Sequence, residues 1–222
     1  MNCSYSIILW ILVGLIQTSS SGVFALSSPS ENVPIQQSLE LTSDPPLLDV
    51  PTYSLATQDK NGQTGMNIVT YASPISIRPD RIWSLGLFKG TWTHEQFALT
   101  GEGVLQLLAP EHSKVVRVLG GSSTREVNKQ EACTELDMPW IPFSEDGEAS
   151  SSMQVLPGCV HYLKVRLVGD LIDCGSHDLA MCKVESMFVP SSDEKSTTKH
   201  SLMTSQLREM GIITAQGRVA EE

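Results

Sequence analysis

Lys89-Gly90-Thr91-Trp92-Thr93 places an ammonium, two hydroxyls and a glycine just ahead of a stretch with helical character. The first amides of a helix lack intrahelical acceptors and its dipole is positive there, so this loop could hold a phosphate or another anion. A plainer use is also open: Thr91 or Thr93 caps the helix and Lys89 is solvated. Asn67, Thr70 and Ser73 recur at every third position and could bond the polar edge of a ring, or line the wet face of a strand. Arg78 and Arg81 could meet a dinucleotide phosphate or stand in solvent. His177 is on its own a turn histidine. Cys174, His177 and Cys182 are zinc-ligand types, but the two cysteines fall on opposite arms of an expected hairpin and no second close pair completes the set, so no metal is assigned. Nucleophile elbow, P-loop and dinucleotide glycine fingerprint are all lacking from the sequence.

These residues need elements to position them. Tyr53 to Thr57 alternates as a strand does and runs into Asn61-Gly62, a strong turn pair. Met66 to Ile77 is rich in β-branched residues but contains Pro74, which predicts an edge or bulged strand. Ile82 to Phe88 reads as the next strand. Thr93-His94-Glu95-Gln96 has the capping-box pattern, so a helix is predicted to start near Thr93 and to end at Gly101. Gly103 to Leu108 follows as a strand, and Pro110 opens a second helix with Val115, Val116 and Leu119 on its apolar side, stopped by Gly120-Gly121. Thr124 to Ser152 shows no regular pattern. Val160 to Ile172 and Asp178 to Val189 form a long hairpin with a polar tip at 173–177, and Ser205 to Met210 is a terminal helix. Strands in this order with short helices between them predict a mainly β fold, a small antiparallel barrel.

The formal charge of −10 creates a field that repels phosphate backbones and anionic head groups, which excludes nucleic acid as a partner class. Part of that charge belongs to the leading segment, since no Lys or Arg precedes Lys60. Ile7 to Ile16 is an apolar block too short to span a bilayer, and Val23 and Ala25 suit a cut after Ala25, although the usual basic residues are missing. The expected organisation is a signal-peptide-like leader at 1–25, a disordered linker at 26–51, the folded domain at 52–190, and a linker with the terminal helix at 191–222. The leader implies the secretory route and a secreted or organellar destination, with no membrane span once it is removed. Its GVFA context loosely resembles the two-part leaders that carry proteins into algal plastids. Four cysteines remain after the leader, and in a domain of this size they are expected as free thiols.

The run YSLATQDKNGQTGMNIVTYASPISIRPDRIWSLGLFKGTWTHEQF resembles the opening of the flavin reductase-like, FMN-binding split-barrel family. GVLQLL and LPGCVHYLKVRLVGDLIDCGSHDLAMCKVESM resemble the later strand and the closing histidine hairpin, so the resemblance covers about Thr52 to Val189. It implies an antiparallel split β-barrel, a homodimer, FMN as cofactor and NADH or NADPH as electron donor. It also implies flavin contacts from Asn67, Thr70 and Ser73, phosphate binding by Lys89, Gly90, Thr91 and Thr93, and His177 near the reacting edge. Gly175-Ser176-His177 stands where the family hairpin often carries Gly-Asp-His. Two other functions fit the same pattern: a flavin electron carrier that binds no nicotinamide, and a secreted barrel for another small molecule.

Overall fold

Asp59 turns the chain back on itself. Its carboxylate accepts the amides of Asn61 and Gln63, each at 2.8 Å, and so closes the hairpin between β1 (Tyr53–Gln58) and β2 (Thr64–Val69). The computed structural model describes residues 39–144, 153–190 and 200–220. The leader at 1–25 lies outside them.

After β2 come β3 (Ala72–Ser76), β4 (Ile82–Phe88), α1 (Trp92–Thr100) and β5 (Glu102–Leu107). A 3-10 turn at Pro110–Val115 leads into α2 (Val116–Gly121), followed by α3 (Lys129–Glu135). Two-residue strands β6 (Ile141–Pro142) and β7 (Gln154–Val155) pair with each other. β8 (His161–Leu167), β9 (Ile172–Cys174), β10 (His177–Phe188) and α4 (Thr204–Glu209) complete the order.

The main sheet is antiparallel, ordered β2-β1-β5-β8-β10-β4-β3, with β9 also on β10. β2 and β3 stand at opposite ends of that order, yet only Thr70 and Tyr71 separate them in the chain. Two residues reach about 11 Å at most, whereas a flat sheet would hold these strands roughly 29 Å apart. The sheet must therefore curl into a half-barrel. The expected strand over Met66 to Ile77 is accordingly two strands, and the crossing at Thr70-Tyr71 is where the chain passes from one end of the sheet to the other. Pro74 does sit on an edge strand, beside a register shift between Pro74 and Ser76.

Curling gives two cores. Leu55, Val69, Leu85, Leu87, Leu105, Val165 and Cys182 fill the inside, closed by Phe97 from α1. Ala56, Met66 and Val104 face the other way, onto Val115, Val116, Leu119, Leu202 and Leu207. β1 is thus buried on both faces, which explains its run of buried residues. The long hairpin is present, but its first arm breaks between β8 and β9 at Val168–Leu171, where Gly169 takes φ +73°, before both pieces pair with β10.

Two segments differ from expectation. Residues 48–51, assigned to the linker, are bonded to the terminal helix: Thr204 donates to the Val50 carbonyl at 3.0 Å, Ser205 to Asp49 at 2.8 Å, and Arg208 to the Leu48 carbonyl at 2.9 Å. Within the unassigned stretch, α3 forms because Asn128 caps it, accepting the Glu131 amide at 3.3 Å. Among the described residues no cysteine is in a disulfide, and no helix is long and apolar enough to cross a membrane.

Candidate functional site

β4 and the hairpin tip are neighbours. Phe88 pairs with His177, and the Lys89 amide donates to the Ser176 carbonyl at 3.0 Å, so the loop after β4 is bonded to the turn before β10. Thr91, not Thr93, caps α1: its hydroxyl accepts the His94 amide at 3.2 Å and donates to the Phe88 carbonyl at 3.0 Å. The helix starts earlier than the capping-box pattern indicates, and Thr93 is buried in its first turn, out of reach of an exposed ligand. Gly90 has φ +80° and open space where a side chain would stand, so the backbone there is free to approach a ligand.

Lys89 is held between Asp173 at 2.9 Å and Asp178 at 3.2 Å. Asp178 also accepts from His94 Nε2 at 2.7 Å. The His94 bond, and after it Lys89, holds the Asp178 carboxyl below its usual range, while Lys89 does the same for Asp173. The two acids in turn raise the Lys89 ammonium, Asp173 first. Its positive charge is therefore already matched within the loop and tip.

On the outer face of the sheet His177 lies between two rings, 5.3 Å from the Tyr71 centroid and 5.3 Å from that of Phe88, both edge-on. Tyr71 is 59% exposed and Phe88 45% exposed, so this face can take a planar ligand. Ser176 Oγ is 3.0 Å from His177 Nδ1, so a hydroxyl stands beside the imidazole. Burial, and then the nearby Arg218, hold the imidazole below its ordinary pKa. It is therefore neutral at pH 7 and can hydrogen-bond without adding charge. Arg218 itself stands 6.0 Å from the centre of the Phe88 ring.

The structure gathers His177, Gly90, Thr91 and Lys89, and it sets Thr70 at the crossing next to Tyr71. Of the other two strand residues, it brings Ser73 but not Asn67 to the outer face that carries Tyr71 and His177. Asn67 pairs with the core residue Leu55 and shares its inner face, while Ser73 pairs with Ser84 on the face opposite the core residue Leu85. Arg78 and Arg81 are exposed, with Arg81 Nη1 4.0 Å from Met187 Sδ. Cys182 is buried in the inner core and Cys174 is exposed on β9. Sequence reasoning overlooked Asp173, Asp178, His94, Tyr71, Phe88 and Arg218. Asp173 and Asp178 flank the tip motif and had a visible signal; Arg218 had none.

Two other features belong to the framework. His112 Nε2 is 3.6 Å from Cys159 Sγ, but Nδ1 accepts the Ala109 amide at 3.0 Å, so Nε2 carries the proton and points it at the Pro157 carbonyl, 2.9 Å away. That tautomer cannot take a proton from the thiol. A polar cavity of about 540 Å³ between the β1–β2 turn and α3 shares no residue with the His177 face.

Residues 47–207 match the family model of the flavin reductase like domain, well over half of the chain. The chain belongs to that family. The flavin reductase-like chain has no match among curated protein sequences. Among solved structures it is similar to an FMN-binding protein of Thermus thermophilus with bound p-hydroxybenzaldehyde, at 16% identity and TM-score 0.58, over 76% of this chain and 90% of that one. The NADH:FAD oxidoreductase of Streptomyces globisporus C-1027 superposes at TM-score 0.56 with 11% identity, over 70% and 81% of the two chains. A longer Sinorhizobium meliloti 1021 chain matches at TM-score 0.55 and 12% identity over 71% of this chain, which spans 47% of its length. At these identities the likeness is one of fold, the curled half-barrel.

Proposed function

We propose that this flavin reductase-like protein binds FMN on the His177 face and works as an oxidoreductase that takes electrons from NADH or NADPH. The observation that carries the reading is the register of β4 with β10, which puts His177, the Phe88 ring and the loop before α1 side by side. Exposed rings suit a planar isoalloxazine, and the open backbone at Gly90 with the free amides of the nine-residue helix α1 suits a phosphate. The flavin, when bound, supplies the reversible two-electron chemistry.

The chain's own residues bind and orient. Tyr71 and Phe88 offer the ring a surface, and neutral His177 offers a hydrogen bond at the ring's edge. Lys89 ties the loop to Asp173 and Asp178, and through Asp178 to His94, so the loop keeps its shape before ligand arrives. Two further parts of the proposal are a homodimer, supported by the exposed Tyr71, Ile75 and Ile77 on or beside the edge strand β3, and entry into the secretory route, supported by the apolar block at Ile7 to Ile16.

The test is anaerobic. FMN-loaded protein mixed with NADH or NADPH should lose its visible flavin band, more slowly in His177→Ala. A flavin that stays oxidised with both nucleotides would remove the nicotinamide donor and leave an electron carrier.

A further inference from the structure

Several cations of the described residues are committed. Lys89 bridges two acids, Arg166 sits between Glu102 and Glu185, Lys183 meets Asp80, and Arg125 meets Glu95. Arg117 donates to two carbonyls. Like Arg78 and Arg81, Arg218 is exposed and among the described residues pairs with no carboxylate; what sets it apart is its place over Phe88 beside His177.

Its position is built. Arg117 clamps the two ends of the last segment, donating to the Gly211 carbonyl at 2.7 Å and the Ala220 carbonyl at 2.8 Å. Between those points the chain folds on itself, with Ile213 bridged to Val219 and the Thr214 amide donating to the Arg218 carbonyl at 2.7 Å. Val219 anchors the return by packing on Gly120, where a Cβ would come within 3.0 Å of its Cγ2 and 3.3 Å of Ile68 Cγ1. A small hairpin, seated on glycine and held by a second arginine, thus presents one guanidinium to the aromatic face. An unpaired guanidinium offers a fork of donors that matches two oxygens of a phosphate.

We propose that Arg218 is the phosphate-binding cation of this face, holding the phosphate ester of a ligand whose ring lies on Phe88 and His177. The role expected for Lys89 passes to a residue more than a hundred positions away in sequence. For the flavin phosphate the inference rests on the FMN reading above, while the phosphate site itself does not.

The experiment compares Arg218→Gln and Arg218→Lys with the wild type in three titrations. With FMN and riboflavin, Arg218→Gln should weaken FMN about 10- to 100-fold and leave riboflavin unchanged, with Arg218→Lys between. If the phosphate belongs instead to the nicotinamide nucleotide, Arg218→Gln raises KM for NADPH more than for NADH and spares both flavins, and the proposal stands with that ligand. Inorganic phosphate supplies the arm that needs no flavin: it should shift the His177 ring signals in NMR spectra of the wild type and not of Arg218→Gln. Wild type that binds neither flavin but responds to phosphate sinks the FMN reading and keeps this one. Arg218→Gln matching the wild type in all three titrations overturns it.

Discussion

Lys129 is a buried cation whose cost can be read from pH. It is 3% exposed, and its ammonium donates to the Met66 carbonyl at 3.0 Å and the Leu119 carbonyl at 2.6 Å. Burial pulls it down from 10.5 to about 8, with Cys133 offsetting part of the shift. The folded-state value lies below the unfolded one, so between about pH 8 and 10.5 the unfolded chain holds a proton that the folded chain has released. Stability from this group therefore rises with pH across that window, and below it the folded state carries the whole cost. At 1.36 kcal/mol per unit the rise is about 3 kcal/mol. Cys182, pushed up to about 12 by burial, acts in the opposite sense, as do Cys133 and Tyr162. Lys129→Met keeps those groups, and of the three only Cys133 loses a charge that acted on it. Near neutral pH it should cost little, because removing the buried charge offsets the two carbonyls left without a donor, each worth about 1–3 kcal/mol. Urea unfolding from roughly pH 7 to 10.5 should then show the wild type gaining about 3 kcal/mol on the variant. Parallel curves would refute the reasoning.

Phe97→Ala removes the fully buried ring that closes the inner core and should cost about 3–5 kcal/mol by urea unfolding, while a loss under about 1 would mean that the barrel end closes without it. His177 should titrate below 6.5 by NMR, and Arg218→Gln should move its midpoint up, since removing a nearby positive charge favours the imidazolium; an unmoved midpoint would separate the two groups. Asp178→Asn breaks the ties to Lys89 and His94 and should speed amide exchange at Gly90 to Trp92, with the strands unaffected; unchanged exchange would mean that Thr91 and the Ser176 carbonyl hold the loop alone.

The strands around the site were legible because alternation and turn residues act locally. Asp59 to Gly62 turns where Asn61-Gly62 indicates, and Pro74 lies on an edge as its missing amide requires. The crossing at Thr70-Tyr71 was not legible, since nothing local separates a strand that continues from one that passes to the far end of a curled sheet. The split of Asn67 from Ser73 follows from that same crossing. Thr91 rather than Thr93 caps α1 because both are good capping residues and the choice depends on the Phe88 carbonyl that Thr91 also bonds. The α3 cap at Asn128 with Glu131 was readable and overlooked. Arg218 lay beyond local reasoning: its meaning depends on Gly120, Arg117 and Phe88, which sequence alone does not bring together.

The most direct test of the account is a titration of purified protein with FMN, followed by flavin fluorescence and the visible band. Saturation at one FMN per chain, with the flavin retained on desalting and released by replacing Phe88 and His177 together, is the predicted result. FMN that stays fully fluorescent and separates from the protein, with FAD and riboflavin behaving alike, would contradict it.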